Sequence, residues 1–192
     1  MKNNMNHKLN QGFSLLELLL VLGVIAALAI AAFIVYPSVQ ASNQAQSEVS
    51  NLNTVRANIL QSYNRGIFTG LDNDAINTAR GVPPAWNGGV TTAGTALNDI
   101  WGGAITVVPV DGGGGTDNFV SITMDDVPTN ACLKFVPALV TNFPIVQADS
   151  VDIFNANGIA GDGAALDLNI GTLPASCGDG GAELADVGVI FR

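Results

Sequence analysis

The sequence predicts an α+β fold in which one long N-terminal α-helix packs on a mainly antiparallel β-sheet. Two observations lead to this prediction. Helical periodicity persists through the N-terminal third of the chain, and short β-branched runs separated by turn residues occupy much of the remainder. A helix with one apolar stripe and a sheet with one apolar face bury those surfaces against each other. At 192 residues, the chain is expected to form one domain with an attached segment.

Composition limits the classes of function. The chain is 48% hydrophobic and only 12% charged, and its formal net charge of −9 argues against a general nucleic-acid binder. The only histidine is His7, so no Ser/His/Asp triad, Cys/His pair or histidine-based zinc site can be built beyond it. Neither a phosphate-binding loop ending in GK[ST] nor a dinucleotide fingerprint occurs. We therefore expect no enzyme, no cofactor, no metal site and no specific nucleic-acid binding.

The N-terminal segment has the features of a membrane helix. Residues 1–12 are basic and contain no acid, which places them on the cytoplasmic side. From Leu18 to Tyr36 no residue is charged, and at ~1.5 Å per residue this run reaches about 28 Å, close to the ~30 Å hydrocarbon core of a bilayer. The run is longer than the ~7–15-residue apolar region of a secretory signal peptide. A plain signal anchor fits its length and flanks.

A signal anchor does not explain Glu17, since a carboxylate costs ~2.5–3.5 kcal/mol at the centre of a membrane helix and less near its ends. The stretch GFSLLE at residues 12–17, followed by the apolar run, resembles the class III signal of type IV prepilins and their pseudopilin relatives. In that family a membrane aspartyl peptidase cuts after the glycine, here Gly12, and the new first residue, here Phe13, is N-methylated. The resemblance implies that Glu17 of an incoming subunit pairs with the Phe13 amine of a subunit already assembled. Such a pair is far stronger in a low-dielectric bundle than at a surface.

The helix is predicted to continue beyond the membrane segment, from about Ser14 to Asn64. Pro37 is expected to kink it or to open it locally. Beyond Pro37, apolar residues recur at spacings of three and four, which predicts one buried stripe. The stripe consists of Ala45, Val49, Leu52, Val55, Ile59 and Tyr63. Arg65-Gly66 offers a C-terminal cap. Because such a helix is too long for a compact domain alone, half of it is expected to project and to need a partner.

Short strands and helices are predicted for the rest of the chain. The stretch GVPPAWNGG reads as a loop, and an N-capped short helix after Asp72 is favoured over a calcium loop because the EF-hand spacing is broken. GGAITVVPV and NFVSITM predict a hairpin joined by residues 111–117. VPTNACLKFVPALVTNF has helical spacing, although Pro137 argues against one continuous helix. QADSVDIFNA and ADVGVIF are further strand candidates.

Cys132 and Cys177 are the only cysteines, and they are predicted to form a disulfide because a translocated domain lies in an oxidising compartment. Two buried thiols are the alternative. Closure of a loop of this span is worth on the order of 4 kcal/mol in the chain-entropy description. In the resembled family, the C-terminal region bounded by such cysteines is exposed on the filament and carries subunit contacts.

Within that family the chain looks more like the larger type IVb pilins, which include the bundle-forming, toxin-coregulated and conjugative thin pilus pilins. The support is WGGAITV, the hairpin, the cysteine-bearing helix after it and the late cysteine before a terminal strand. A short leader and a mature first residue of Phe13 depart from the type IVb pattern. The resemblance implies four segments. They are a leader peptide at 1–12, a transmembrane and filament-core half-helix at 13–36, an amphipathic half-helix at 37–65 and an α+β domain at 66–192.

The function that the resemblance implies is a structural subunit, the major pilin of a type IV pilus used for adhesion, aggregation or conjugation-type contact. The alternatives are a pseudopilin of a type II-like secretion system, a minor pilin, and a membrane-anchored binding domain that never polymerises. The expected partners are other copies of the chain, prepilin peptidase acting also as methyltransferase, the inner-membrane assembly machinery, and lipid before assembly. The expected location is the inner membrane, crossed once, and then the extracellular pilus.

Overall fold

The computed structural model describes residues 14–63, 65–112, 115–156, 171–178 and 184–192. The chain divides into two compact units, Met1–Val39 and Gln40–Arg192, and helix α1 contributes to both. In chain order the elements are α1 Leu15–Ser62, α2 Asn73–Thr78, α3 Pro84–Asn87, β1 Ile105–Gly112, β2 Gly115–Pro128, α4 Thr129–Val140, β3 Ile145–Ala148, β4 Val151–Asn155, α5 Leu173–Ser176 and β5 Leu184–Phe191. This arrangement confirms the predicted α+β class.

Helix α1 is one continuous helix of 48 residues, in agreement with the predicted long helix. Its helical backbone passes through Pro37, so this proline does not open the helix. A helix can absorb a proline by bending, because only one backbone hydrogen bond and one carbonyl contact are affected. A kink at Pro37 therefore stays a prediction.

The predicted stripe on the second half of α1 is buried in the second unit. Four of its residues are almost completely inaccessible, namely Ala45, Leu52, Val55 and Ile59. Val49 and Tyr63 are partly buried against the same core. The spacing of three and four residues places these side chains on one face, which explains why they enter the core together.

The ends of α1 and α2 follow from local signals. After α1 ends, Gly66 adopts a φ of 66° and donates its N–H to the carbonyl of Tyr63 at 3.1 Å. Glycine reaches this left-handed region at little cost, so Gly66 makes a turn just beyond the helix. The bond that closes α1 is donated by the Tyr63 N–H to the Ile59 carbonyl at 2.9 Å, and the predicted cap at Arg65-Gly66 stays a prediction. At the start of α2, the Asp72 side chain accepts a hydrogen bond from the N–H of Ala75 at 2.7 Å. The predicted N-capped helix is therefore confirmed.

The described strands form one five-stranded sheet with the order β1-β2-β5-β3-β4, and every pairing is antiparallel. The predicted β1–β2 hairpin is confirmed. The strand candidate QADSVDIFNA contains strand residues, but a turn at Asp149 and Ser150 divides it between β3 and β4. Both turn residues have positive φ, 50° and 62°. Their side chains are small and polar, which suits a tight hairpin turn.

The sheet separates a large core from a small apolar cluster. Alternate strand residues such as Val120, Ile122 and Val189 belong to the same core as the stripe of α1 and the inner face of α4. The residues between them point to the opposite face, where Phe119, Ile145 and Ile190 form a second cluster. Helix α4 is continuous through Pro137. The sheet, α1 and α4 thus provide the rigid frame on which the remaining segments are fastened.

Candidate functional site

The candidate functional site predicted from the sequence is the N-terminal part of α1. Glu17 lies in the first turn of this helix, and its N–H donates to the Ser14 carbonyl at 3.0 Å. Its side chain is exposed. A carboxylate is favourable at this end of a helix because the first N–H groups are unpaired and the helix dipole is positive there. The predicted cleavage and methylation residues, Gly12 and Phe13, lie outside the described residues.

The apolar run after Glu17 presents a continuous exposed surface within the first unit. An 18-residue window of α1 has a mean hydropathy of 3.1, and none of it is buried. Phe33, for example, is 80% exposed. Among the described residues, α1 is the one helix that is long and apolar enough to cross a membrane. An apolar surface of this size marks contact with lipid or with another protein.

Gly23 lies within this surface and contributes no side chain to it. A Cβ at this position would meet no other atom within 4 Å, so the glycine is not required by packing inside the described first unit. Small residues on a membrane helix let a second helix approach its backbone closely. The absence of an internal reason for Gly23 is therefore consistent with a surface that receives another helix.

The predicted disulfide is confirmed. Cys132 in α4 and Cys177 at the C-terminal end of α5 are bonded, with their Cα atoms 5.7 Å apart. Both are completely buried. The alternative of two buried thiols is therefore wrong. The bond fastens the described segment 171–178 to the helix that packs on the sheet.

A buried carboxylate was missed by the sequence analysis. Glu48 is completely inaccessible in the middle of the stripe of α1. Its Oε1 accepts a hydrogen bond from Trp86 Nε1 at 2.5 Å, and its Oε2 accepts one from Asn51 Nδ2 at 3.0 Å. The signal was present in the sequence, because Glu48 stands three residues after Ala45 and four before Leu52. A polar residue in this phase faces the core.

Trp86 lies in the stretch that was predicted to be a loop. The structure instead has one helical turn there, α3, and the Trp86 side chain is buried. Pro84 is preorganised for the first helical position, and Gly88, with a φ of 62°, ends the turn. This short helix turns the indole toward α1, and the hydrogen bond to Glu48 joins two segments that are 38 residues apart.

Burial has the largest effect on the pKa of Glu48. It raises the pKa of Glu48 to about 7, against the opposing effect of the hydrogen bonds from Asn51 and Trp86, and the negative charge of Asp99 raises it further. Burial also raises the pKa of Asp99 above its ordinary value. Asp99 Oδ1 accepts hydrogen bonds from the N–H groups of Trp101 and Gly103, whereas its buried Oδ2 has no partner in the described structure.

Buried amides fasten the same region. Asn87 Nδ2 donates to Asn77 Oδ1 at 2.7 Å, and Asn77 Nδ2 donates to the Thr92 carbonyl at 3.0 Å. Asn58 of α1 donates to the Gly81 carbonyl at 2.9 Å. These contacts and the Glu48–Trp86 bond hold the segment between α2 and β1 on α1. Within the part of the chain that the structure describes, no three His, Cys, Asp or Glu side chains are grouped to hold a metal ion.

Two family models match the sequence. The model described as PilS N terminal matches residues 42–189, and the model described as the prokaryotic N-terminal methylation motif matches residues 7–33. The first covers more than half of the chain and runs from just before the stripe of α1 into β5. The second covers Gly12, Phe13, Glu17 and most of the apolar run. No curated protein matches the chain.

Two solved structures are similar to the structure described here. One is TcpA, a type IV pilin from Vibrio cholerae El Tor biotype, with a TM-score of 0.50 and 16% identity, over 80% of this chain and 99% of that one. The other is a type IV b pilin from Salmonella typhi, with a TM-score of 0.51 and 18% identity, over 75% of this chain and 97% of that one. At this identity the similarity establishes the fold.

Proposed function

Because the chain belongs to the PilS family and has the fold of type IV b pilins, we propose that it is the major structural subunit of a type IV pilus. Pilins are structural subunits rather than enzymes. In this proposal the precursor is held in the inner membrane by a single helix. Prepilin peptidase cuts it after Gly12 and methylates Phe13, and the inner-membrane assembly machinery then adds it to an extracellular filament. The filament serves adhesion, aggregation or conjugation-type contact.

The observation that carries the proposal is the exposed apolar surface of α1 that begins directly after Glu17. A surface of this kind needs a covering that the described first unit does not supply. Lipid covers it in the precursor. In a filament, the same surfaces of neighbouring copies cover one another, which makes burial of apolar area the main favourable contribution to assembly.

In this assembly, Glu17 sets the axial position of one helix against the next. In the described part of the chain, its carboxylate makes no hydrogen bond or ion pair. An unpaired carboxylate inside an apolar helix bundle is strongly disfavoured, and an ammonium at close range offsets that cost. Cleavage after Gly12 creates such an ammonium at Phe13. The pairing of Glu17 in one copy with Phe13 in the next would favour one stagger of the helices over others.

The proposal is tested on filaments sheared from cells that produce the chain. We expect electron microscopy to reveal fibres, and mass spectrometry to identify their dominant component as this chain beginning at N-methylated Phe13. A chain that is processed but stays in the cell envelope would instead indicate a pseudopilin. A chain present in fibres only in trace amounts would indicate a minor pilin. Either result would refute the assignment as major subunit.

The role of Glu17 is tested by Glu17→Gln, which removes the charge and keeps the shape. We expect the variant to be inserted and cleaved normally but to lose most of its filament yield, because the neutral amide cannot pair with the Phe13 ammonium. The matched control is Asp111→Asn, which neutralises an exposed acid of β1 and keeps an oxygen acceptor for the Asp117 N–H. Normal filament yield from Glu17→Gln would contradict the proposed pairing.

A further inference from the structure

Helices α1 and α2 enclose an open cleft of about 230 Å³ in the second unit. Ile59 of α1 and Tyr63, which directly follows this helix, line one side, and Ile76 of α2 and Ala79 line the other. An apolar cavity of about 150 Å³ is enough to hold a benzene-sized group. The cleft can therefore accept one aliphatic side chain of another molecule.

Two arginines lie close in sequence to residues that line this cleft, which we call the arginine cleft. Arg65 lies just after Tyr63, and Arg80 follows Ala79. Both are exposed, and neither side chain has a hydrogen bond or an ion pair in the described part of the chain. Two other arginines are engaged internally, Arg56 against the rings of Phe143 and Phe191 and Arg192 over that of Phe119. In a chain with a net charge of −9, the cleft is therefore a local site of available positive charge.

Exposed apolar side chains and negative charges occur together at one end of the sheet, which we call the acidic end. Val151, at the start of β4, is 55% exposed, and Leu184, at the start of β5, is 46% exposed. Three aspartates accompany them, and backbone-to-carboxylate hydrogen bonds hold these together. The Asp186 N–H donates to Asp149 Oδ1 at 3.0 Å, and the Asp126 N–H donates to Asp186 Oδ1 at 3.4 Å. The acidic end is thus an apolar projection with a fixed negative rim.

We propose that the arginine cleft of one copy receives the acidic end of a second copy, with Val151 in the cleft and the aspartates facing Arg65 and Arg80. The complementarity is twofold, since an apolar side chain meets an apolar cleft and a negative rim meets a positive one. Both halves are present on this chain, which identifies the partner as another copy. This inference rests on the proposed function, because it concerns contacts between pilin subunits.

The two patches lie on different elements, so the contact is heterologous. A heterologous contact either closes into a ring or propagates as an open helical chain, and the filament of the proposed function requires the open chain. It also opposes the repulsion between acidic copies, because it brings the available arginines to a group of three aspartates. The contact would connect second units along the filament in addition to the packing of the apolar helices.

A cysteine pair tests the contact in filaments of the full chain. Ala79→Cys together with Val151→Cys is expected to give, after mild oxidation and denaturation without reductant, a ladder of covalent dimers, trimers and longer species. Each single variant is expected to give monomers. The control pair, Ala79→Cys with Thr106→Cys, places the second thiol on an exposed residue of β1 and is also expected to give monomers.

Charge reversal provides the second test. Arg80→Glu is expected to lower filament yield about tenfold, since it places an acid against the acidic end. Adding Ser150→Lys at the tip of the acidic end is expected to restore much of that yield. Lys134→Glu, which reverses an exposed charge on α4, is the control and is expected to leave the yield unchanged. Equal levels of processed precursor in all variants would establish that they fold.

The outcomes separate the inference from the proposed function. Wild-type filaments without a ladder specific to the Ala79/Val151 pair would overturn the inference and leave the pilin assignment intact. Dimers from Val151→Cys alone would also overturn it, because they would indicate a two-fold contact. Absence of wild-type filaments would overturn both. A specific ladder together with rescue by Ser150→Lys would support the inference.

Discussion

The buried Glu48 makes the stability of the second unit depend on pH. The carboxyl is uncharged below a pKa of about 7 in the folded chain, whereas its ordinary pKa is 4.5. Between these two values the folded chain binds a proton at Glu48 that the unfolded chain has lost. Stability from this group is therefore fully present below about pH 4.5, falls as the pH rises, and is lost above about pH 7.

The magnitude follows from the difference between the two pKa values. Each unit is worth about 1.4 kcal/mol, so a rise from 4.5 to about 7 corresponds to a loss on the order of 3 kcal/mol across this range. Small domains are stable by ~5–15 kcal/mol, which makes this a substantial fraction. The raised pKa of Asp99 also makes stability fall as the pH rises, beginning at a lower pH. The total loss of stability is therefore larger than the contribution of Glu48 alone.

Glu48→Gln isolates the contribution of Glu48. The amide has nearly the same shape as the protonated carboxyl and cannot ionise, so Trp86 Nε1 keeps an acceptor at every pH. We expect little difference from wild type near pH 4.5 and a stabilisation on the order of 3 kcal/mol at pH 8. The assay is urea unfolding of the full chain in detergent, followed by circular dichroism across the pH range. Asp111→Asn is the matched control for an exposed acid.

Two results would refute this reasoning. The first is a free energy of unfolding that changes with pH as steeply in Glu48→Gln as in the wild type. Because the variant lacks the titrating carboxyl, its free energy of unfolding must change less with pH. The second comes from Trp86→Phe, which removes the indole donor. This variant is expected to destabilise more at pH 8 than at pH 5, because an ionised carboxylate suffers more from the lost hydrogen bond. An equal cost at both values would mean that Glu48 does not ionise in the folded chain.

Three further predictions concern the second unit and the filament. Cys132→Ser with Cys177→Ser opens a loop of 45 residues and is expected to lower the free energy of unfolding by on the order of 4 kcal/mol; an unchanged urea midpoint would contradict this. Gly103→Ala would place a Cβ on the carbonyl oxygen of Asp125 and is expected to cost about 1–3 kcal/mol, measured in the same assay. Filament bundling, measured by light scattering, is expected to increase with salt or divalent ions because the acidic surfaces repel; bundling insensitive to ionic strength would count against this.

The elements predicted well from the sequence are those in which one local pattern decides the structure. The stripe of α1 persists over five turns, and Asp72 caps α2 through its own side chain. Both depend on neighbours in the chain. The hairpin of β3 and β4 was missed because its turn has no glycine or proline, and Asp149 and Ser150 reach positive φ only with support from the folded sheet. That support is visible in the hydrogen bond from the Asp149 N–H to the Asp186 carbonyl at 2.8 Å.

The two glutamates of α1 differ in how far the sequence reveals them. Glu17 is conspicuous because it stands beside an uncharged run, so its anomaly can be read from its neighbours alone. Glu48 stands among polar residues and looks like a solvent-exposed acid, yet Trp86 and Asn51 hold it in the core. Its environment comes from α3, a one-turn helix 38 residues further on, whose formation cannot be separated from its docking on α1. The chain therefore supplies hydrogen-bond partners for Glu48 from within its own fold, whereas a second subunit is the proposed source of the partner for Glu17. This difference predicts that Glu48→Gln changes the stability of each subunit and leaves assembly intact. Glu17→Gln is expected to lower assembly and to leave the stability of each subunit unchanged.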